Sequence, residues 1–269
     1  MADHDDNQVW HDVLLADGPG GTDESIAERL AASGIDGASK LVVSADAPHE
    51  AIEQYRRLGA VMYQAQADRG TRVVMITSTV PAEGKSLTAT NLALTLSESY
   101  RQRVLLIDAD LRRPTLHDVF QIPNLAGISD WLKGDGSGKM PLVQVTRHLT
   151  LLPGGRPDSD PMSALVSDRM KQVLSRASER FDWVIVDTPP VAGLPDGHLL
   201  AALVDTIVFV VAAGRTPAAA VQRAVEQLGR DRIIGIVLNR VEGRSLQAYG
   251  QGSHYERYRY SPAARDGER

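Results

Sequence analysis

Residues Val73 to Leu87 constrain the fold more than any other stretch of this 269-residue chain. Val73-Val74-Met75-Ile76 reads as a buried strand of a parallel sheet. A short loop follows and closes on Gly84-Lys85-Ser86, and Leu87 to Leu96 are good helix formers. Strand, tight loop, Gly-Lys-Ser and helix together form the setting in which backbone N–H groups and a helix N-terminus hold phosphates. Pro81, Ala82, Glu83, Gly84, Lys85, Ser86 and Leu87 are therefore expected to wrap a nucleotide. Lys85 would reach the terminal phosphates, and the Ser86 hydroxyl would ligate Mg²⁺. Thr79 departs from the strict pattern, which places a Gly there.

Two further apolar segments end in carboxylates. One is Val104-Leu105-Leu106-Ile107-Asp108-Ala109-Asp110-Leu111-Arg112, and the other is Trp183-Val184-Ile185-Val186-Asp187-Thr188-Pro189-Pro190. In open α/β sheets ligands sit beyond the carboxyl ends of the strands. Asp108, Asp110 and Asp187 fall at such ends and supply the hard oxygen ligands that Mg²⁺ takes. Strands are expected over 73–77, 103–107, 149–152, 182–187, 205–212 and 233–238. Helices are expected over 85–98, 115–119, 127–133, 161–179, 196–203 and 216–229, with an earlier one from Pro48 to Gln66 capped by Asp46. This alternation predicts a doubly wound, mostly parallel α/β sheet with helices on both faces, a P-loop NTPase fold.

Composition narrows the function. The absence of cysteine excludes disulfides and thiolate sites. The longest apolar run, Leu199 to Ala213, is interrupted by Asp205, so no membrane-spanning helix is expected. The N-terminus is acidic and lacks a secretory apolar region, which points to a cytoplasmic protein. The net charge of −5 conceals an asymmetry: eleven acids against Arg29 and Lys40 in residues 1–50 give −9, leaving +4 for the rest. No basic arm for nucleic acid or membrane is present. Residues 1–45 read as an acidic, partly disordered leader with one short helix over 24–32, and residues 46–242 as the nucleotide-binding domain. Gly134 to Gly138 reads as a surface loop. Residues 243–269 read as a mobile tail, which nevertheless holds four of the seven tyrosines: Tyr249, Tyr255, Tyr258 and Tyr260.

A phosphate loop with Pro81, an Asp-x-Asp-x-Arg strand end, an Asp-Thr-Pro-Pro strand end and a terminal tyrosine cluster occur together here. The combination resembles the bacterial tyrosine kinases (BY-kinases) of capsule and exopolysaccharide synthesis, P-loop proteins related to MinD and ParA. The resemblance covers residues 48–242 and the tail. It implies that Val104–Arg112 is the Walker A′ segment and Val184–Asp187 the Walker B segment. It implies ATP and Mg²⁺ as cofactors, with Lys85 and Ser86 on the phosphates and metal and Asp108, Asp110 and Asp187 at the metal. Asp108 would also activate the attacking tyrosine hydroxyl. Arg112 joins the nucleotide-binding set, and Asn239 matches a family position near the adenine. The tail tyrosines would be the phosphoacceptors, modified between subunits of a homo-oligomeric ring. A Glu-x-x-Arg-x-x-Arg motif supports such rings; Glu53 and Arg56 match it, and Gly59 replaces the second Arg. A chain without its own membrane segment would pair with a separate membrane activator of the polysaccharide co-polymerase type, which recruits it to the inner face of the membrane.

Two other readings compete. A MinD- or ParA-like switch ATPase carries a signature lysine five residues before the catalytic one, where this chain has Val80. A non-catalytic nucleotide sensor on the same fold would regulate polysaccharide export by binding alone. Phosphate on the tail tyrosines separates the kinase from both.

Overall fold

The computed structural model describes residues 41–44, 47–134 and 139–241. The chain divides into two compact units, Met1–Asn239 and Arg240–Arg269, and the first carries the fold. The tail tyrosines, Asp46, the 24–32 helix and residues 135–138 lie outside the described residues.

A single seven-stranded sheet forms the centre. Its strands are β1 (Val73–Ser78), β2 (Val104–Asp108), β3 (Val143–Gln144), β4 (Leu149–Leu152), β5 (Trp183–Asp187), β6 (Thr206–Ala212) and β7 (Ile233–Asn239). They run in the order β3-β4-β2-β5-β1-β6-β7, parallel throughout except for β3, which pairs antiparallel to β4. Every residue of β1, β2, β4, β5 and β6 is buried, as expected for a sheet covered on both faces. Alternate residues feed two cores. Val73, Met75, Leu105, Ile107, Val184, Val186, Ile207 and Phe209 enter one, whereas Val74, Ile76, Leu106, Ile185 and Val208 enter the other.

Eight α-helices among the described residues cover the sheet. They are α1 (His49–Arg69), α2 (Lys85–Leu94), α3 (Leu116–Phe120), α4 (Ile128–Lys133), α5 (Met162–Leu165), α6 (Asp168–Arg180), α7 (Asp196–Ala201) and α8 (Ala218–Leu228). Met62 of α1, Leu92 of α2 and Phe120 of α3 pack on one face; Leu132 of α4, Leu174 of α6 and Leu228 of α8 pack on the other. Leu41, 1% exposed, joins the first group, and the Val42 N–H donates to Asn91 Oδ1 of α2 at 2.9 Å.

The elements follow the sequence reading with local corrections. Helix α1 continues past Gln66 to Arg69, ending where Gly70 takes a left-handed φ of 67° and donates its N–H to the Gln66 carbonyl. The single helix expected over 161–179 is two. Ser167 leaves the helical region at ψ 152°, and its side chain accepts the Met170 N–H, starting α6 afresh. The last turn of the helix after the phosphate loop widens over Thr95–Ser99, so that the Tyr100 N–H bonds the Thr95 carbonyl.

The strand order decides where the site lies. The chain leaves β1, skips one position to form β2, and returns to insert β5 between them. The loops after β1, β2 and β5 therefore open at one end of the sheet, at a topological switch point.

Candidate active site

The phosphate loop is bent by two residues in the left-handed region, Ala82 at φ 65° and Gly84 at φ 98°. Gly84 has a second reason to be glycine: a Cβ there would lie 2.0 Å from Asn239 Nδ2. That amide donates to the Glu83 carbonyl at 2.8 Å, so Asn239 is brought against the loop from the end of β7. The Glu83 side chain, 1% exposed, is the loop's internal fastener. Its carboxylate accepts the Val80 N–H at 2.7 Å, the Ala212 N–H at 3.1 Å and the Thr216 hydroxyl at 2.5 Å. Among the residues of the predicted nucleotide wrap, Glu83 thus turns its carboxylate towards the protein. Lys85 opens α2 with its side chain largely buried.

The carboxylates converge beside this loop. Asp108 and Asp187 are register partners on β2 and β5 and are both fully buried. Asp108 Oδ2 accepts the Thr115 N–H at 2.8 Å and the Leu116 N–H at 2.9 Å, whereas Oδ1 is buried without a partner. Both Asp187 oxygens are likewise buried and unpartnered; the Ser86 hydroxyl and the Thr188 N–H lie near enough to favour its charged form but do not reach hydrogen-bond geometry. Burial, then the charge of Asp187, drives Asp108 well above the ordinary carboxylate range. Burial lifts Asp187 to about 7 against the opposing pull of Lys85. Asp110 is raised too, by burial first, with Lys85 again opposing. Lys85 therefore faces both Asp110 and Asp187.

Three buried carboxylate oxygens without donors, next to a hydroxyl at the mouth of a phosphate loop, form a donor set that suits a hard divalent cation. Among the described residues no group of three or more carboxylates or histidines closes a cation shell by itself. Magnesium at this point would complete its shell with phosphate and water, as it commonly does.

Arg112 is engaged elsewhere. Its guanidinium is bidentate to Asp196 at 2.5 and 3.2 Å and donates to the Ser159 carbonyl at 2.6 Å. Asp196, at the start of α7, is 0% exposed. The signature arginine thus clamps the loop after β4 to the start of α7. Asp196, Thr115 and Thr216 went unrecognised in the sequence. Thr115 carried a legible signal, a Thr preceding a short helix; Asp196 sat in a Pro-Asp-Gly stretch that reads as a turn.

Glu53 and Arg56 form an exposed ion pair at 2.6 Å on α1. The structure gives the reason for Gly59. A Cβ there would lie 2.8 Å from Tyr100 Cε2, because the Tyr100 ring covers this turn and its hydroxyl donates to the Arg56 carbonyl at 2.8 Å. Tyr63, one turn on, stacks on Tyr100 at 6.1 Å between centroids.

The chain is similar to known proteins. The family of CobQ/CobB/MinD/ParA nucleotide binding domains matches residues 74–255. The tyrosine-protein kinase YwqD of Bacillus subtilis (strain 168) is 35% identical over 207 residues, which are 76% of this chain and 85% of that one. The succinoglycan biosynthesis transport protein ExoP of Rhizobium meliloti is 34% identical over 231 residues, 82% of this chain but only 29% of that protein. The solved kinase domain of the Escherichia coli tyrosine kinase ETK superposes with a TM-score of 0.63 at 29% identity, covering 71% of this chain and 78% of that domain. With its phosphate loop, its paired strand-end carboxylates and this kinship, the chain belongs to the bacterial protein-tyrosine kinases, built on the MinD/ParA type of nucleotide-binding fold.

Proposed function

We propose that the chain uses ATP with Mg²⁺ to phosphorylate its own C-terminal tyrosines and thereby regulates exopolysaccharide synthesis and export. The observation that carries this reading is the buried pair Asp108 and Asp187, register partners with three oxygens that no donor serves. Bound magnesium would neutralise phosphate charge there and polarise the transferring group. The loop N–H groups and Lys85 hold the phosphates. Asp108 Oδ2 is already saturated by two N–H donors, which leaves Oδ1 as the oxygen that accepts a proton. A tyrosine phenol has a pKa near 10 and attacks poorly until a carboxylate takes its proton. Its oxygen bonds to the γ-phosphorus, the bond to the β,γ-bridging oxygen breaks, ADP departs, and the proton passes to Asp108 Oδ1.

Tyr249, Tyr255, Tyr258 and Tyr260 are the acceptors in this reading, offered to a neighbouring subunit of a homo-oligomer. The role in polysaccharide export is supported by the relative ExoP, named for succinoglycan biosynthesis transport. No helix among the described residues is long and apolar enough to cross a membrane, which suits recruitment from the cytoplasm by a separate membrane activator. The test is phosphotyrosine mass spectrometry on the purified full chain incubated with ATP and Mg²⁺, beside Lys85→Met, with and without membranes of the producing cell. Phosphate on the tail of the native chain and none on Lys85→Met is expected. A bare tail under both conditions, or equal labelling in Lys85→Met, overturns the reading.

A further inference from the structure

We propose that Thr115 is a positioning residue that locks the metal-binding hydroxyl of the phosphate loop to the carboxylate that takes the proton. The inference rests on the reading of Ser86 as a magnesium ligand. Thr115 sits in the loop between β2 and α3, on neither the phosphate loop nor a strand end. Its N–H donates to Asp108 Oδ2 at 2.8 Å, and its hydroxyl lies 3.1 Å from Ser86 Oγ. One residue therefore touches two of the three groups on which the chemistry depends.

The direction of the hydroxyl contact follows from proton counting. Ser86 has one O–H and two lone pairs. Its neighbour Asp187 has both oxygens buried without donors. The Thr115 hydroxyl donates to Ser86 Oγ, which leaves the Ser86 proton free to turn towards these oxygens. One lone pair of Ser86 is then occupied by Thr115, and the other is left for a cation. The contact thus fixes the torsion of Ser86 with a lone pair presented to the cluster. Threonine suits this task, because its branched Cβ restricts χ1. Through its N–H the same residue holds Asp108 with Oδ1 turned to the cluster, so loop hydroxyl and carboxylate keep one spacing. Thr115 is exposed, so its hydroxyl is not explained by core packing.

The test compares Thr115→Val, Thr115→Ala, Thr115→Ser and, as a control, Ser86→Ala in the full chain. Calorimetry gives the affinity for ADP with saturating Mg²⁺ and with chelator, and their ratio measures the metal's contribution. Thr115→Val and Thr115→Ala should lower that ratio about fivefold, the size of one ordinary hydrogen bond. Chelator-only affinity and the melting temperature should stay at the native values. Thr115→Ser should restore the ratio, since it keeps the donor. A native ratio in both Thr115→Val and Thr115→Ala, with the ratio collapsed in Ser86→Ala, overturns the role of Thr115. A native ratio in Ser86→Ala as well overturns the metal reading itself, and this inference with it. A ratio equally low in Thr115→Ser and Thr115→Val also refutes it, because the hydroxyl would then not be the group that matters.

Discussion

Replacing Glu83 with alanine should lower the unfolding free energy by about 3–5 kcal/mol although no packed apolar group is removed. The carboxylate is 1% exposed and serves three donors: Val80 N–H, Ala212 N–H and the Thr216 hydroxyl. A hydrogen bond to a charged group contributes roughly 1.5–3 kcal/mol net, and a buried donor left bare costs a similar amount. Val80 lies in an exposed part of the loop, 37% accessible, so water can satisfy its N–H in the variant. The buried Ala212 N–H stays uncompensated and the half-buried Thr216 hydroxyl loses its acceptor, which sets the estimate. Glu83→Gln isolates the chemistry from the volume. One amide oxygen replaces two carboxylate oxygens, so the amide nitrogen must face either the Val80 or the Ala212 N–H, donor against donor. The Val80 side is the cheaper choice, because water reaches that N–H while the amide oxygen still accepts from Ala212 and Thr216, so the cost should stay near about 1 kcal/mol. Urea denaturation of nucleotide-free protein measures both variants. A Glu83→Ala protein within about 0.5 kcal/mol of native would refute the account, because ordinary surface substitutions fall in that range.

Three further outcomes follow from the geometry. Asp187→Asn should abolish Mg²⁺-dependent turnover yet stabilise the nucleotide-free protein. Burial raises the folded pKa to about 7 from the ordinary carboxylate range, so the native state loses stability as pH climbs from that range to 7; the gain in melting temperature should therefore be larger at pH 8 than at pH 5. Arg112→Ala should cost about 2–4 kcal/mol by stranding the fully buried Asp196, and Asp196→Asn in that background should recover at least about 1 kcal/mol by double-mutant cycle. Gly59→Arg, which restores the ring motif, should leave stability within about 1 kcal/mol of native, since the helix-propensity gain of about 1 kcal/mol is offset by displacing Tyr100 from Arg56 and Tyr63. In a Tyr100→Ala background the same change should be stabilising by about 1 kcal/mol, as read by denaturation; equal effects in both backgrounds would show that Tyr100 is not the obstacle.

The local features of this protein are plain in its amino-acid order. Runs such as Val73–Ile76, Val104–Ile107 and Trp183–Val186 are apolar at every position because both faces of a parallel sheet are covered, and that needs no knowledge of neighbours. Gly84-Lys85-Ser86 after such a run announces phosphate, and strand-end aspartates announce the cation, because these chemistries act over a few consecutive residues. Features below that scale were lost. β3 is two residues long and carries no period, and Ser167 restarts a helix inside a stretch whose propensities alone read as continuous.

What only the tertiary structure decided is which groups share a site and in what state. The pairing of Asp108 with Asp187 depends on β5 inserting between β1 and β2, a long-range choice no local pattern encodes. Glu83 meets Ala212 across 129 residues, Arg112 meets Asp196 across 84, and Thr115 meets Ser86 across 29. Arg112 reads in sequence as a nucleotide ligand, yet the fold supplies it with a buried carboxylate. Gly59 reads as a departure from a motif, yet the fold places an aromatic ring where its side chain would be. In each case the residue type states what an atom can bond, but burial and the arrival of a distant partner decide what it does bond, because desolvation turns an optional contact into an obligatory one.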